Sequence, residues 1–183
     1  MKKRYDHHLE GSLQIYWDLV ELKSLLRQGW LKSGIDANIC ESVADHSFGT
    51  AVLALFLCPA HLNKQRVLEM AILHETGEVI TGDITPHDGI SEKEKNHLET
   101  KAVEKIFSQL ENSEYWLNLW LDFEEGRTAE GCFVKQLDKL EMAFQAKMYS
   151  KLTGKDMGKF YKSAENVMQD NTLKKLLEKI TDC

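Results

Sequence analysis

Residues 71–83 read Ala-Ile-Leu-His-Glu-Thr-Gly-Glu-Val-Ile-Thr-Gly-Asp, and they concentrate side chains that can do chemistry. On a helix turning roughly 100° per residue, His74, Glu75 and Glu78 fall within an arc of about 100°. One imidazole and two carboxylates then crowd one patch beside apolar neighbours. Ionised carboxylates there suffer desolvation and mutual repulsion. A divalent cation removes both costs by supplying positive charge. A solvated polar face with a core histidine explains the same residues equally well, so this segment alone leaves both readings open.

Two other places bear on the choice. Ser42-Val43-Ala44-Asp45-His46-Ser47 puts a histidine at the start of an otherwise apolar helix. Asp138 stands beside the apolar stripe of a long helix, in Phe133-Val134-Lys135-Gln136-Leu137-Asp138-Lys139-Leu140-Glu141. A lone aspartate in such a place is usually a boundary residue satisfied by a neighbour. Together, a histidine, a histidine–acid pair and an aspartate from three core helices make a sensible ligand set for a divalent metal.

The elements that must position these groups read as helices throughout. Leu13, Tyr16, Leu19, Leu22 and Leu26 recur at helical spacing, which predicts a first amphipathic helix over about 10–27. An irregular, glycine-bearing segment follows, from Gln28 to Glu41. Ser42 and Asp45 have capping-box spacing ahead of a second helix, apolar almost all round from Ala51 to Leu57, which should be central. Gln65 to Ile80 reads as a third helix, and Gly82 to Gly89 as a loop. Ser91 with Glu94 is a cleaner capping box for a helix reaching about Leu110. Ser113 to Phe123 is a shorter aromatic helix in which Trp116 and Trp120 should be core or dimer contacts. Ala129 to Leu152 is long, with Phe133, Leu137, Leu140, Phe144 and Met148 along its buried stripe. Gly154 and Gly158 interrupt before one or two closing helices. No period-2 alternation lasts long enough for a sheet. The expected fold is all-α, a helical bundle of one domain over residues 1–183.

Composition narrows the partners. A formal charge of −6 argues against a nucleic-acid backbone, whose binding at scale needs a basic face. A small anion stays possible, because a local metal or arginine overrides the global sign. Cys40, Cys58, Cys132 and Cys183 are far apart with no CxxC pair, so they read as reduced thiols of a cytoplasmic protein. Met1 to Glu10 is charged and unlike a signal peptide, and the apolar stretch Ala51 to Ala60 is too short to span a bilayer. No membrane partner is expected.

Taken in order, "ES-V-x-D-H", "LH-acid-x-x-E-x-x-x-GD-I-x-P" and "FVKQLD-x-x-EM" resemble the HD-domain superfamily of metal phosphohydrolases, and within it the 5′-deoxynucleotidase group. The resemblance runs from about Leu22 to Tyr149 and includes Arg27-Gln28-Gly29-Trp30. It implies a helical, commonly dimeric enzyme that hydrolyses deoxyribonucleoside 5′-monophosphates with cobalt, manganese or magnesium. Carried over by position, His46, His74 and Asp138 become metal ligands together with the acid at Glu75. Glu78 and Asp83 become the catalytic acids, and Arg27 and Trp30 a phosphate-binding and orienting pair. Asp83, Ile84, Thr85 and Pro86 become a nucleotide-contacting loop.

One position departs from the pattern. The superfamily doublet is His-Asp, whereas this chain has His74-Glu75. Glu offers the same carboxylate on a stem one methylene longer and can still ligate. It can also ligate bidentately and close the open position a hydrolase needs. Three readings follow: a deoxynucleotide phosphatase, another HD-type hydrolase such as a pyrophosphohydrolase or phosphodiesterase, or a non-catalytic nucleotide-binding dimer. Of the other histidines, His7 and His8 fall in a frayed terminus, His61 in a turn and His97 on a charged face. His87 follows Pro86 in the substrate-side loop, within reach of a ligand.

Overall fold

A computed structural model describes residues 9–182, so His7, His8 and Cys183 lie outside the described residues. The helices are α1 (Gly11–Val20), α2 (Gln28–Leu31), α3 (Val43–Leu57), α4 (Lys64–Leu73), α5 (Glu78–Thr81), α6 (Glu92–Phe107), α7 (Ser113–Glu124), α8 (Ala129–Thr153), α9 (Gly158–Val167) and α10 (Asn171–Asp182). Short 3-10 turns occupy Glu21–Lys23 and Pro86–Asp88. Among the described residues there is no strand, only an isolated bridge between Leu26 and Ser42. The fold is all-α.

The long helix α8 organises the molecule. Its Phe133, Val134, Leu137, Leu140 and Ala143 are buried in one cluster with residues of α3, α4, α7, α9 and α10. Burying each large aliphatic side chain contributes about 1.5–3 kcal/mol, which is why a helix surrounded on so many sides is the anchor for a site. At its N-terminal end the backbone passes α7 so closely that a Cβ on Gly131 would stand 2.0 Å from the Asp122 carbonyl oxygen. Only glycine fits that crossing. A second cluster ties α2 to α8 and α9 through Trp30, Tyr149 and Met157, and a third joins α1, α6 and α7 through Ile15, Phe107 and Trp120.

Several sequence expectations are corrected. The first helix stops at Val20, followed by the 3-10 turn, and the chain then extends. There the Leu25 carbonyl accepts from Val43 N–H at 2.8 Å and Arg27 N–H donates to the Glu41 carbonyl at 3.1 Å. Backbone pairing with the segment before α3 thus replaces the helical ladder. Its supposed inner stripe is also rotated: Leu13 and Tyr16 are exposed, while Ile15 is buried.

The third helix is broken as well, at residues 74–77 between α4 and α5. In that turn Thr76, Glu78, Val79 and Ile80 N–H donate three residues back, to Leu73, Glu75, Thr76 and Gly77. Thr76 Oγ1 also donates to the Leu73 carbonyl at 2.6 Å, and Trp120 Nε1 donates to the His74 carbonyl at 2.9 Å. Both carbonyls are diverted from an α ladder, which tightens the backbone. Gly77 permits the turn's close approach to α6, since a Cβ there would meet Glu99 Cβ at 3.0 Å.

The second helix is less enclosed than expected, with Phe48 and Phe56 more than 70% exposed. Phe144 and Met148 on α8 are exposed too, rather than part of its buried stripe. Ser42 and Asp45 do form a reciprocal capping box at the start of α3. Ser91 caps α6 by accepting from Glu94 N–H at 3.2 Å. Among the described residues no helix is long and apolar enough to cross a membrane.

Candidate metal centre

Two helices and the tightened turn converge on one point. His46 projects from the second turn of α3, His74 and Glu75 from the turn after α4, and Asp138 from the middle of α8. His46 Nε2 stands 3.2 Å from His74 Nε2, 3.1 Å from Asp138 Oδ1 and 3.7 Å from Glu75 Oε1. Glu75 Oε1 is 3.5 Å from His74 Nε2. A cation with bonds of about 2.1 Å separates neighbouring donors by about 3.0 Å in an octahedral shell and about 3.4 Å in a tetrahedral one. Three of the four spacings, 3.1, 3.2 and 3.5 Å, are close to those values, and His46 to Glu75 is longer at 3.7 Å. The donor types, two imidazoles and two carboxylates, suit a borderline or hard divalent ion.

Both imidazoles are oriented from behind. His74 Nδ1 is 2.9 Å from the Ala71 carbonyl, an acceptor that requires the proton on Nδ1 and leaves Nε2 facing the cluster. His46 Nδ1 is 2.5 Å from Glu141 Oε2. The Phe123 ring meets His74 edge-on at 5.1 Å and closes the apolar side.

The charges follow from this enclosure. Burial and Arg27 pull the His46 pKa down, but hydrogen bonds to Asp138 and Glu141 prevail and raise it to about 9. Burial drives His74 below the ordinary histidine value despite the pull of Glu75. Burial also opposes ionisation of Glu75, yet the His74, Arg27 and His46 charges outweigh it and hold the pKa at about 2. Asp138 lies well below the usual range: burial opposes, and Lys139 and His46 win. These acids are thus held ionised around a point where positive charge is wanted.

Glu78 behaves differently. It is 2% exposed, and its Oε2 has no hydrogen-bond partner among the described residues. Burial first, then Glu75 and Asp83, push its pKa well up. An unsatisfied carboxyl oxygen beside a four-donor cluster costs free energy unless a ligand or water completes it.

The remaining site candidates form a wall on the Arg27 side. Arg27 Nη1 donates to Glu75 Oε1 at 2.9 Å. Asp83 Oδ2 accepts from Gln28 N–H at 2.5 Å, tying the loop after α5 to the start of α2. Trp30 is 1% exposed and its indole N–H donates to Glu41 Oε1 at 2.7 Å, so it stands behind Arg27 instead of opening on the cluster. Thr85 is buried; its Oγ1 accepts from Lys32 Nζ at 2.8 Å and donates to Asp88 Oδ2 at 2.8 Å. Pro86 is exposed at the loop's outer edge. Asp83 and Ile84 border a cavity of about 760 Å³ whose other walls include Gln28, Lys32, Leu98 and Lys101. His61, His87 and His97 are exposed.

Sequence reasoning assigned no role to Glu141 or Glu41, although both approach His46: one oxygen of each lies within 4.8 Å of a His46 nitrogen. The available signal was positional. Glu141 follows Asp138 by three residues, so a helix must bring it to the same flank as the candidate ligand.

Comparisons with known proteins agree with this geometry. The profile of the family described as HD domain matches residues 19–181. The 5′-deoxynucleotidase hdd1 of Schizosaccharomyces pombe is 38% identical over 150 residues, spanning 78% of this chain and 75% of that protein. The human 5′-deoxynucleotidase HDDC2 is 36% identical over 151 residues, 81% of this chain and 73% of its own. Among solved structures, the PH0347 protein of Pyrococcus horikoshii superposes with a TM-score of 0.77 at 29% identity, covering 93% of this chain and 96% of that one.

Proposed function

Because the chain belongs to the HD-domain family, we propose that His46, His74, Glu75 and Asp138 hold one divalent cation and that the protein hydrolyses (deoxy)ribonucleoside 5′-monophosphates. It is a metal-dependent phosphohydrolase. The observation that carries the substrate reading is a conjunction: His46, His74 and Glu75 in one donor group with Asp138 3.1 Å from His46, a guanidinium bonded to Glu75, and an unsatisfied buried carboxyl oxygen on Glu78. Cobalt, manganese and magnesium, the ions the family resemblance implies, are compatible with this donor set.

When bound, such a cation supplies Lewis acidity toward a phosphate oxygen and lowers the pKa of bound water. The chain's own groups do the rest. Arg27 commits one N–H to Glu75 and keeps the others of its planar fork for a phosphate oxygen. Glu78 positions the attacking water and takes its proton, a task suited to a carboxyl whose pKa burial has raised. Asp83, pinned by Gln28, faces the sugar or the leaving oxygen, and Trp30 holds the Arg27 segment from behind. The nucleoside lies over the cavity that Ile84 lines with Leu98 and Lys101, and Thr85 and Pro86 continue that loop. The products are orthophosphate and the nucleoside.

The exposed Phe48 and Phe56 on α3, with Met148 and Leu152 on α8, support a homodimer, since large apolar side chains on a free surface favour association. Single domain organisation and a cytoplasmic location with free thiols complete the reading. Metal-free protein refilled with each of the three ions and assayed for phosphate release over ribo- and deoxyribonucleoside monophosphates tests it. Release from the monophosphates and not from a phosphodiester is expected, and no release from any of them by cobalt-loaded protein refutes it. Sedimentation should give a dimer that Phe56→Glu weakens.

A further inference from the structure

Glu141 is buried on α8, and one of its oxygens lies 2.5 Å from His46 Nδ1. Its other oxygen presses into α3: a Cβ on Gly49 would stand 2.6 Å from Glu141 Oε1 and 2.9 Å from its Cγ. Gly49 follows His46 by three residues, so it lies on the same flank of the helix, one turn on. Glycine inside a helix is disfavoured relative to alanine. Here it opens a notch that lets a carboxylate from a second helix reach behind the imidazole.

On the metal-holding reading above, we infer that Glu141, seated in the Gly49 notch, is a positioning residue that fixes the His46 ring and its proton so that Nε2 presents a lone pair to the cation. The physical reason is tautomeric. A carboxylate at Nδ1 can only accept, so a ring proton stays on Nδ1, and Nε2, which faces Asp138 at 3.1 Å, is the nitrogen that ligates once it carries no proton. The hydrogen bond also stops the ring from rotating about its side-chain torsions and makes Nε2 a stronger donor. His74 gets the weaker version of this support from a neutral carbonyl, Ala71. The two histidines therefore depend on unequal partners, and His46 is the one with a charged brace. Glu41 lies close by but its Oε1 already accepts from Trp30 Nε1 at 2.7 Å, which leaves Glu141 as the acid committed to His46.

Cobalt affinity of the metal-free full chain, measured by competition with a chelator and by the visible absorption of bound cobalt, is the test. Glu141→Met keeps volume and removes the acceptor, and it should weaken cobalt binding roughly tenfold to a hundredfold, the usual effect of losing such a partner. Glu141→Gln retains an acceptor oxygen and should restore affinity to within about fivefold of wild type. Gly49→Ala reads the same contact from the other helix and should weaken binding although alanine favours helix. In the magnesium-loaded protein, nitrogen NMR should show His46 protonated at Nδ1, and this signature should vanish in Glu141→Met. If Glu141→Met fails to fold, Gly49→Ala and the NMR signature decide. Unchanged cobalt affinity in both Glu141→Met and Gly49→Ala overturns the inference, as does a second cobalt per chain that disappears on loss of Glu141. A wild type that binds no cobalt overturns the metal-holding reading itself, which is a different result.

Discussion

Glu75 carries two loads, and replacing it separates them. Its Oε1 is 2.9 Å from Arg27 Nη1 and also faces both candidate histidines, at 3.5 and 3.7 Å. In Glu75→Ala the guanidinium loses its direct partner. Breaking a fully buried ion pair costs about 3–5 kcal/mol. Here the two side chains keep 13% and 15% exposure, and Glu78, Asp83 and Asp138 still act on Arg27. A cost of about 2 kcal/mol in the metal-free protein is therefore expected, a fall in Tm of about 4–8 °C for a chain of this size. The second load, on the proposed reading, is ligation. Removing one of four donors should lower cobalt affinity about a hundredfold, or about 2.7 kcal/mol. Glu75→Asp retracts the same carboxylate by one carbon–carbon bond, about 1.5 Å. It should keep cobalt affinity within about tenfold, with a moderate change in turnover. Calorimetric cobalt titration, thermal unfolding in chelator and phosphate release on the three proteins make the comparison. A wild type that releases no phosphate with any metal, awakened by Glu75→Asp, would refute the reasoning: the longer acid would then be closing the site.

Three further perturbations have defined outcomes. Glu78→Gln should leave cobalt affinity near wild type while phosphate release falls about a hundredfold or more; normal turnover would remove Glu78 from the reaction. Gly131→Ala should destabilise the fold by at least about 2–3 kcal/mol in urea denaturation, because the new methyl meets the Asp122 backbone and not a movable side chain. Glu99 is buried, and burial raises its pKa to about 7, with Lys95 opposing. An acid whose folded pKa exceeds its unfolded one loses stability as pH rises from the unfolded value through the folded one. Glu99→Gln should therefore stabilise by about 1–3 kcal/mol at pH 8 and by almost nothing at pH 4.5; equal effects at both pH values would show that the acid is not strained there.

The helical class was legible because apolar residues recur at helical spacing wherever a helix buries one flank. What sequence spacing misses is competition for backbone groups from far along the chain. The turn at 74–77 depends on Trp120 capturing the His74 carbonyl and on Glu99 pressing against Gly77. Neither partner is local, so Gln65 to Ile80 read as one helix. Periodicity also gives a flank without saying what covers it, hence Phe144 and Met148, assigned inward, lie on the surface. The resemblance named His46, His74, Glu75 and Asp138 as one set; the structure groups donor atoms of the first three and sets Asp138 3.1 Å from His46. Trp30 was given a part in substrate contact, yet it is enclosed by Tyr149 and Phe160. Glu141 stood in the quoted motif without a role, because its partner is 95 residues away.

On the proposed reading, in which Glu75 holds the cation and Arg27 the phosphate, the single hydrogen bond between Arg27 and Glu75 makes two binding events interdependent. A phosphate that draws Arg27 toward itself gives Glu75 back its full negative charge, and a cation that takes Glu75 releases Arg27. Phosphate and cation are thus heterotropic ligands of one another, each binding more tightly after the other. Linkage makes that cooperation reciprocal: the factor by which phosphate raises affinity for the ion equals the factor by which the ion raises affinity for phosphate. At low metal concentration the amount of active protein is accordingly set by the supply of substrate as well as by that of the ion.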